Sequence, residues 1–351
     1  MKLAIYGAQS LALGMYTALR ALHPALEITG FVVTERQGNP ARLAGLPVTE
    51  LARVTDSDTH FLIAVPENLH AEITAELRAR GFHRYTCMDS EKEACLMERF
   101  YRLHTPFAPL RDLPAGSEPA RLFVYQVKNT KDQPLRNPAA LPDWVVPIQS
   151  GAAMTDERVA ALTDSDGDGI SEKNEAYSEL TALYHLWKNA HRLAPGSAYD
   201  GLFHYRRSLA LDETDLRRIE AGQPDMILPF PTIHAPDINA HHTRYLTQSD
   251  WDAMRRALEE LQPAYARAFD GIFAQQYFYN YNMLIAKREV LARYCAWLFP
   301  ILARTEELAA LTGSARGKRY LGYLGESLLT LYVLFHQKEL KLAHTGRLMR
   351  V

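Results

Sequence analysis

Short apolar runs alternate with amphipathic stretches over the first hundred residues. Strand-like runs at 3–6, 28–34, 61–65 and 84–88 are separated by segments near 11–22, 68–80 and 91–103 whose apolar residues recur at helical spacing. That alternation predicts a parallel sheet covered by helices. Ser90 and Glu93 have the spacing of a capping box at the start of the third helix. The pattern lapses over residues 103–120, LHTPFAPLRDLPAGSEPA, where proline, glycine and serine leave no period and predict a linker. Periodicity then resumes. Strands are predicted at 122–127, 201–205, 226–228 and 283–286, and helices at 175–190, 249–262, 288–304 and 322–337, with a short one at 156–162. The chain reads as an α/β protein with one domain over residues 1–102 and a second over 121–351.

Composition narrows the function classes. Hydrophobic residues make up 47% and charged residues 23%, as in soluble globular proteins. Lys plus Arg (39) nearly balances Asp plus Glu (41), so the basic excess of a nucleic-acid binder is missing. Cys87, Cys95 and Cys295 have no metal-ligand spacing and are expected as reduced thiols in a cytoplasmic protein. The opening MKLAIYGAQS turns polar too early for a signal peptide. No apolar run approaches the roughly 20 residues that span a bilayer, so any membrane contact is expected at the surface.

Gly7 and Gly14, in YGAQSLALG, follow the first predicted strand, where a Rossmann-like fold holds a phosphate against a helix start. They are the cofactor-binding candidates, although the middle glycine of the dinucleotide fingerprint is missing. Glu35 could bind a ribose hydroxyl, and His70 lies at the ligand edge of such a sheet. The stretch DSDGDGISEKNE (164–175) places Asp164, Asp166, Asp168, Gly169 and Glu175 where a twelve-residue calcium loop has its first, third, fifth, sixth and twelfth positions. Ser171 occupies the eighth position, usually aliphatic, and no second loop accompanies it. The same stretch, with Asn174 as N-cap of the following helix, also suits a sugar or nucleotide hydroxyl. In that helix Tyr177, Leu180, Tyr184 and Trp187 share one face.

The segments PIQSGAA (147–153), GDGISEKNEAYSELTALYHLWKN (167–189), DGLFHYRRSL (200–209), DMILPFP (225–231) and YNYNMLIAKREVLARYCAWLFPIL (279–302) occur in order. Together they closely resemble the bacterial polysaccharide-biosynthesis glycosyltransferase family known as domain of unknown function 4422, from about residue 123 to about 335. Relatives carry Asp-x-x-Gly-Asp-Asn-Ile-Ser in the acidic loop. Asp164, Gly167, Asp168, Ile170 and Ser171 match that pattern and Asp166 and Gly169 depart from it, which sets calcium second. The resemblance implies a Rossmann-like N-terminal domain followed by a GT-A-like glycosyltransferase domain. It further implies transfer of a sugar from a nucleotide-sugar donor, UDP-linked, to a capsule, exopolysaccharide or lipopolysaccharide acceptor. A lipid-linked acceptor would bring a cytoplasmic protein to the inner membrane face as a peripheral visitor.

Many GT-A enzymes neutralise the leaving diphosphate with a divalent cation on an Asp-x-Asp pair. The corresponding strand here ends in His204, Tyr205, Arg206 and Arg207. Guanidiniums pair with phosphate oxygens in a fork geometry, so metal-independent transfer is expected, with magnesium or manganese as the second choice. Neighbouring strand residues point to opposite faces, so one of the two arginines is expected to hold the diphosphate. Asp164, Ser171, Lys173, Asn174 and Asp200 complete the donor-binding candidates. The catalytic candidates are His204, whose pKa lies near working pH, Glu326 in GYLGESLL, and Asp168. Asn280 and Asn282 are acceptor-binding candidates, with tyrosines 277, 279 and 281 available to stack on a sugar. His242, in the loop 234–246 read as a mobile lid, joins them. The competing readings are a calcium-binding module and an NAD-linked sugar-modifying enzyme.

Overall fold

The computed structural model describes residues 2–103, 107–135, 140–311 and 318–350. Six strands form the N-terminal sheet: β1 (Leu3–Tyr6), β2 (Ile28–Val33), β3 (Arg42–Leu43), β4 (Leu46–Glu50), β5 (His60–Ile63) and β6 (Tyr85–Cys87). Their order is β3-β4-β2-β1-β5-β6, parallel except for the short β3–β4 hairpin. The order reverses at β1, so the carboxyl edge beside β1 and β5 is a topological switch point. Helices α1 (Ser10–Leu22), α2 (His70–Ala79) and α3 (Ser90–Tyr101) follow β1, β5 and β6. The β3–β4 hairpin has no counterpart in the sequence reading. The capping box also moves: Asp89, not Ser90, is the N-cap of α3, accepting from the Lys92 amide, because Ser90 already has helical backbone.

The second sheet contains β7 (Leu122–Lys128), β8 (Val145–Gln149), β9 (Leu162–Thr163), β10 (Tyr199–His204), β11 (Arg207–Leu209) and β12 (Met226–Pro229). A separate pair, β13 (Thr232–Ile233) and β14 (Tyr277–Phe278), precedes β15 (Leu284–Lys287), β16 (Leu342–Thr345) and β17 (Arg347–Met349). The main path runs β16-β12-β15-β10-β7-β8-β9, with β11 bridging β10 and β17. Strands β10, β7, β8 and β9 are mutually parallel, whereas β15 runs against both β10 and β12. The carboxyl ends of β7, β8 and β10 therefore share an edge with the chain entering β15.

The remaining helices are α4 (Asn174–Tyr177), α5 (Leu180–Leu193), α6 (Glu213–Gly222), α7 (Ile238–His241), α8 (Gln248–Leu261), α9 (Pro263–Phe273), α10 (Arg288–Leu311) and α11 (Tyr320–Phe335). Helix α10 packs on α8, and α11 on α9. One continuous core joins both sheets, because Tyr101 of α3 stacks on Phe230 at 5.1 Å and donates to the Pro231 carbonyl at 2.7 Å. Among the described residues no helix is long and apolar enough to cross a membrane.

Three local expectations change. The helix expected at 175–190 breaks at Ser178, whose φ is 53°, so Asn174 lies in a first short helix and donates to the Ser178 carbonyl and to Thr181 instead of capping. Residues 156–161 form bends leading into β9, not a helix. Within the expected linker, Phe107 and Leu110 are buried and Pro109 bridges to His344; His104, Thr105 and Pro106 lie outside the described residues.

Asp164 holds the entry to α4 and α5 together. It is fully buried, and its carboxylate accepts from the amides of Gly151 and Ala152 and from the hydroxyls of Ser171 and Thr181. Those four donors consume the oxygens that a cation would need. Asp164→Ala strands them in a dry environment and should destabilise the fold by at least about 2 kcal/mol, while calcium leaves the wild-type melting temperature unchanged; chemical denaturation and a calcium titration check both.

Candidate active site

A cleft of about 460 Å³ opens at the shared edge of β7, β8 and β10. Strand β7 contributes Lys128, followed by Asn129, Lys131 and Asp132; β10 contributes His204, followed by Tyr205 and Arg206, and β11 begins with Arg207. Ligands of α/β sheets bind outside the carboxyl ends of strands, where loops and uncapped amides converge. Asn174, Ser178 and Glu179 enter from the α4–α5 break, and Lys318 and Arg319 from the turn before α11.

HYRR proves to be a tight hairpin. His204 pairs with Arg207 across it, with Tyr205 and Arg206 as the turn. The alternation of an extended strand does not apply to a turn, and both arginines line the cleft. Lys318 is paired with Glu175 and Arg319 lies 3.7 Å from Glu179. Lys128, Lys131, Arg206 and Arg207 form no salt bridge among the described residues. The Arg206 Nε is moreover buried without a hydrogen-bond partner. A buried guanidinium nitrogen left unsatisfied is costly, and an anion supplied from outside would satisfy it.

Behind the arginines lies a buried polar cluster. His204 Nε2 donates to the Tyr281 carbonyl at 2.5 Å and lies 3.9 Å from Glu179. A carbonyl can only accept, so Nε2 carries the proton and Nδ1 is the free basic nitrogen of the neutral ring. Burial lowers the His204 pKa, outweighing the Glu179 charge that raises it. Burial opposes ionisation of Glu179, yet His204 and hydrogen bonds from Ser178 and Asn282 hold its pKa below the ordinary value. Asn282, fully buried, donates to Glu179 at 2.7 Å and to the Gly322 carbonyl at 3.0 Å. Glu326 is partly buried against the Tyr281 amide; burial and then the Glu179 charge push its pKa up to about 8.

The backbone here is strained. Ser178, Tyr281, Asn282 and Arg319 have φ of 53°, 70°, 49° and 68°, in the left-handed region that side chains other than glycine rarely occupy. Such residues persist where surrounding contacts over-determine them. Helix α11 approaches so closely through Gly322 and Gly325 that a Cβ on Gly325 would meet Leu180 at 2.6 Å and the Asn282 Oδ1 at 3.1 Å.

Of the sequence candidates, His204, Arg206, Arg207 and Asn174 line the cleft, and Asn282 and Glu326 stand in the cluster behind it. The others are occupied elsewhere. Asp200 lies at the opposite end of β10, buried and held by Arg288 at 2.7 Å and Ser197 at 2.5 Å. Lys173 pairs with Glu306 at 2.8 Å outside the cleft, and Ser171 is buried against Asp164. Asp168 is exposed, its main chain tied to Asn189. Asn280 accepts from Thr232. His242 stacks on Trp251 at 4.2 Å, and short helices replace the expected lid. Tyr279 is buried against His344, and Tyr277 packs on Phe107.

Gly7 follows β1 with φ 122°, and a Cβ there would lie 2.6 Å from the Ala64 carbonyl, so the close turn requires glycine. Gly14 lies inside α1, facing Met97 of α3. Sequence reasoning missed Lys128, Lys131, Asp132, Glu179, Lys318 and Arg319. Asp132 accepts from the Asn129 amide at 2.7 Å, and burial raises its pKa to about 6. The signal for the first three was the polar run KNTKD immediately after a parallel strand.

Fold and site define a class. Residues 136–338, more than half of the chain, match the family described as a domain of unknown function (DUF4422), and the chain belongs to that family. Among solved structures, it is similar to the apo structure of WbbM, a bifunctional glycosyltransferase, with a TM-score of 0.52 and 24% sequence identity over 66% of this chain and 45% of that one. The chain thus spans less than half of that enzyme's length, and the likeness establishes a shared α/β fold. No curated protein matches the chain by sequence.

The Glu326 pKa has a measurable consequence. A carboxyl that binds its proton more tightly when folded loses stability as pH rises from its ordinary value, 4.5, through about 8. Wild-type stability should therefore decline toward pH 8, and Glu326→Gln should flatten that part of the profile; denaturation midpoints at half-unit pH steps read it out.

Proposed function

We propose that the chain is a glycosyltransferase that uses a nucleoside-diphosphate sugar, UDP-linked, without a divalent metal. The observation that carries this reading is the Arg206–Arg207 hairpin, which forms no salt bridge among the described residues and is presented at the carboxyl edge of a parallel sheet. The family membership and the fold shared with a glycosyltransferase support it. The second sheet and its helices would form a GT-A-like catalytic domain over residues 121–351. Residues 1–102 would form a Rossmann-like domain, joined through 103–120.

As the bond between the anomeric carbon and the diphosphate oxygen breaks, its electron pair goes to the diphosphate. Arg206 and Arg207 neutralise the growing charge through guanidinium–phosphate pairing. The acceptor hydroxyl oxygen bonds to the anomeric carbon, and its proton passes to Nδ1 of His204. Glu179 and the Tyr281 carbonyl keep that ring in the tautomer the step requires. Asn282 fixes Glu179 in turn, acting as a positioning residue. The carboxylates of the cleft do not fit a metal: Asp132, Glu175 and Glu179 are held by Asn129, Lys318 and Asn282. Among the described residues no group of three or more His, Cys, Asp or Glu side chains is placed to hold one. The acceptor would be a glycan or lipid-linked glycan of a surface polysaccharide, and the sugar a hexopyranosyl or galactofuranosyl unit.

UDP should raise the melting temperature equally in EDTA and in magnesium. Arg206→Ala and Arg207→Ala should each weaken UDP binding by about tenfold or more, the loss of one charge-assisted contact. Calorimetry checks the affinities, and a UDP shift abolished by EDTA would overturn the metal-free mechanism.

His204→Gln should leave UDP affinity intact while abolishing transfer. In the wild type kcat/KM should rise with pH through a value below the ordinary histidine pKa of 6.5, since burial depresses that of His204. A pH–rate profile with the corresponding Glu179→Gln variant tests the assignment.

A further inference from the structure

A second cavity, of about 220 Å³, lies between the two sheets at the switch point of the first. Gly7, Ala8, Ala64 and Val65 form one wall and Leu348 and Met349 of β17 the other, with Arg207 and Tyr281 at the end toward the cleft. Most of the lining is apolar. Its charged groups are Glu93, Arg347 and Arg207. Glu93 and Arg347 neutralise each other at 2.8 Å, which leaves Arg207 as the uncompensated charge. The Arg207 guanidinium lies 4.5 Å from the centre of the Tyr281 ring, and Arg347 lies 5.3 Å from it. The Ser10 hydroxyl, without a hydrogen bond among the described residues, also faces the space.

Arg207 and its neighbour Tyr281 connect this cavity to the active-site cleft. Arg207 lines both spaces. The Tyr281 ring belongs to the cavity, while its carbonyl orients His204 and its amide lies against Glu326. The volume is below the roughly 300–1,000 Å³ of pockets that enclose drug-sized ligands, so a whole dinucleotide does not fit.

We propose that this cavity is a binding site for a small phosphate monoester with an apolar substituent, and that its occupant opposes diphosphate binding in the cleft by sharing Arg207. The apolar walls take the substituent and the guanidinium takes the phosphate. An anion in either space competes for the same fork and repels the other, so the coupling is negative and reciprocal. The coupling rests on the cleft being a diphosphate site; the binding site itself does not.

The test is calorimetric titration of the full chain with hexyl phosphate, beside inorganic phosphate and hexanol, in the presence and absence of UDP. Saturable binding of hexyl phosphate is expected, tighter than either control. Val65→Trp, which fills the cavity away from the cleft, should weaken it by about tenfold or more while UDP affinity is retained. Leu11→Trp fills the same space from α1 and serves if the first variant melts early. Hexyl phosphate should also lower UDP affinity in the wild type and not in Val65→Trp. Absence of hexyl phosphate binding, or binding in both filled variants as tight as in the wild type, overturns the site. Binding to vesicles containing phosphatidic acid without binding of hexyl phosphate overturns it as well, by assigning the phosphate preference to a lipid surface. If hexyl phosphate binds and UDP does not, the glycosyltransferase reading fails and the cavity stands.

Discussion

Two consecutive residues in left-handed conformation, Tyr281 and Asn282, are the constraint around which the cleft is arranged. At this turn one carbonyl fixes the tautomer of His204, one amide faces Glu326, and one side-chain amide holds Glu179 in place. No extended or helical backbone would direct those three groups to three different partners from adjacent residues. Conformations of this kind cost on the order of 1–3 kcal/mol each, and the dense packing of α11 through Gly322 and Gly325 offsets that cost. The strain and the glycines are thus two sides of one arrangement.

Electrostatics divides the site into two layers. The outer layer is cationic and open, made of Lys128, Lys131, Arg206 and Arg207, and it suits an anionic ligand at any physiological pH. The inner layer is buried and holds the groups that titrate. The shifts within it are opposite: burial and then the Glu179 charge push Glu326 up to about 8, whereas His204 and hydrogen bonds from Ser178 and Asn282 hold Glu179 down against its own burial. Pairs of ionisable groups driven apart in this way are a mark of acid–base sites.

Much of the architecture was legible in the sequence because it rests on local periodicity. The strands at β1, β2, β5, β7, β10, β12 and β15 and the long helices α8, α10 and α11 announce themselves by their apolar spacing. HYRR and Asn282 stood out in the sequence as polar groups beside apolar strands; the structure sets HYRR at the cleft, whereas Asn282, expected to meet an acceptor, is fully buried against Glu179 and the Gly322 carbonyl. The acidic loop misled for a physical reason. Asp164 has the composition of a ligand-binding group, but four protein donors surround it, and the sequence spacing of those donors carries no signal of their convergence. Asp200 and Lys173 misled in the same way, through partners at Arg288 and Glu306 far along the chain. Glu179 was passed over because it sits among apolar residues of an apparently continuous helix; only the break at Ser178 turns it inward.

Strand β15 runs against its neighbours, so it begins where they end, and the active-site edge is supplied both by loops leaving parallel strands and by the turn entering an opposing one. The groups concerned are drawn from segments spread between Lys128 and Glu326. Bringing such distant stretches together requires several long loops to close, each at an entropic cost that is met before the contacts reward it. The cleft consequently depends on long-range closure, because β15 is the strand that joins β12 to β10 within the second sheet. Without β15 the second sheet is in two pieces and the cleft is not assembled, so ligand binding at this edge reports complete tertiary assembly more sharply than helix content does.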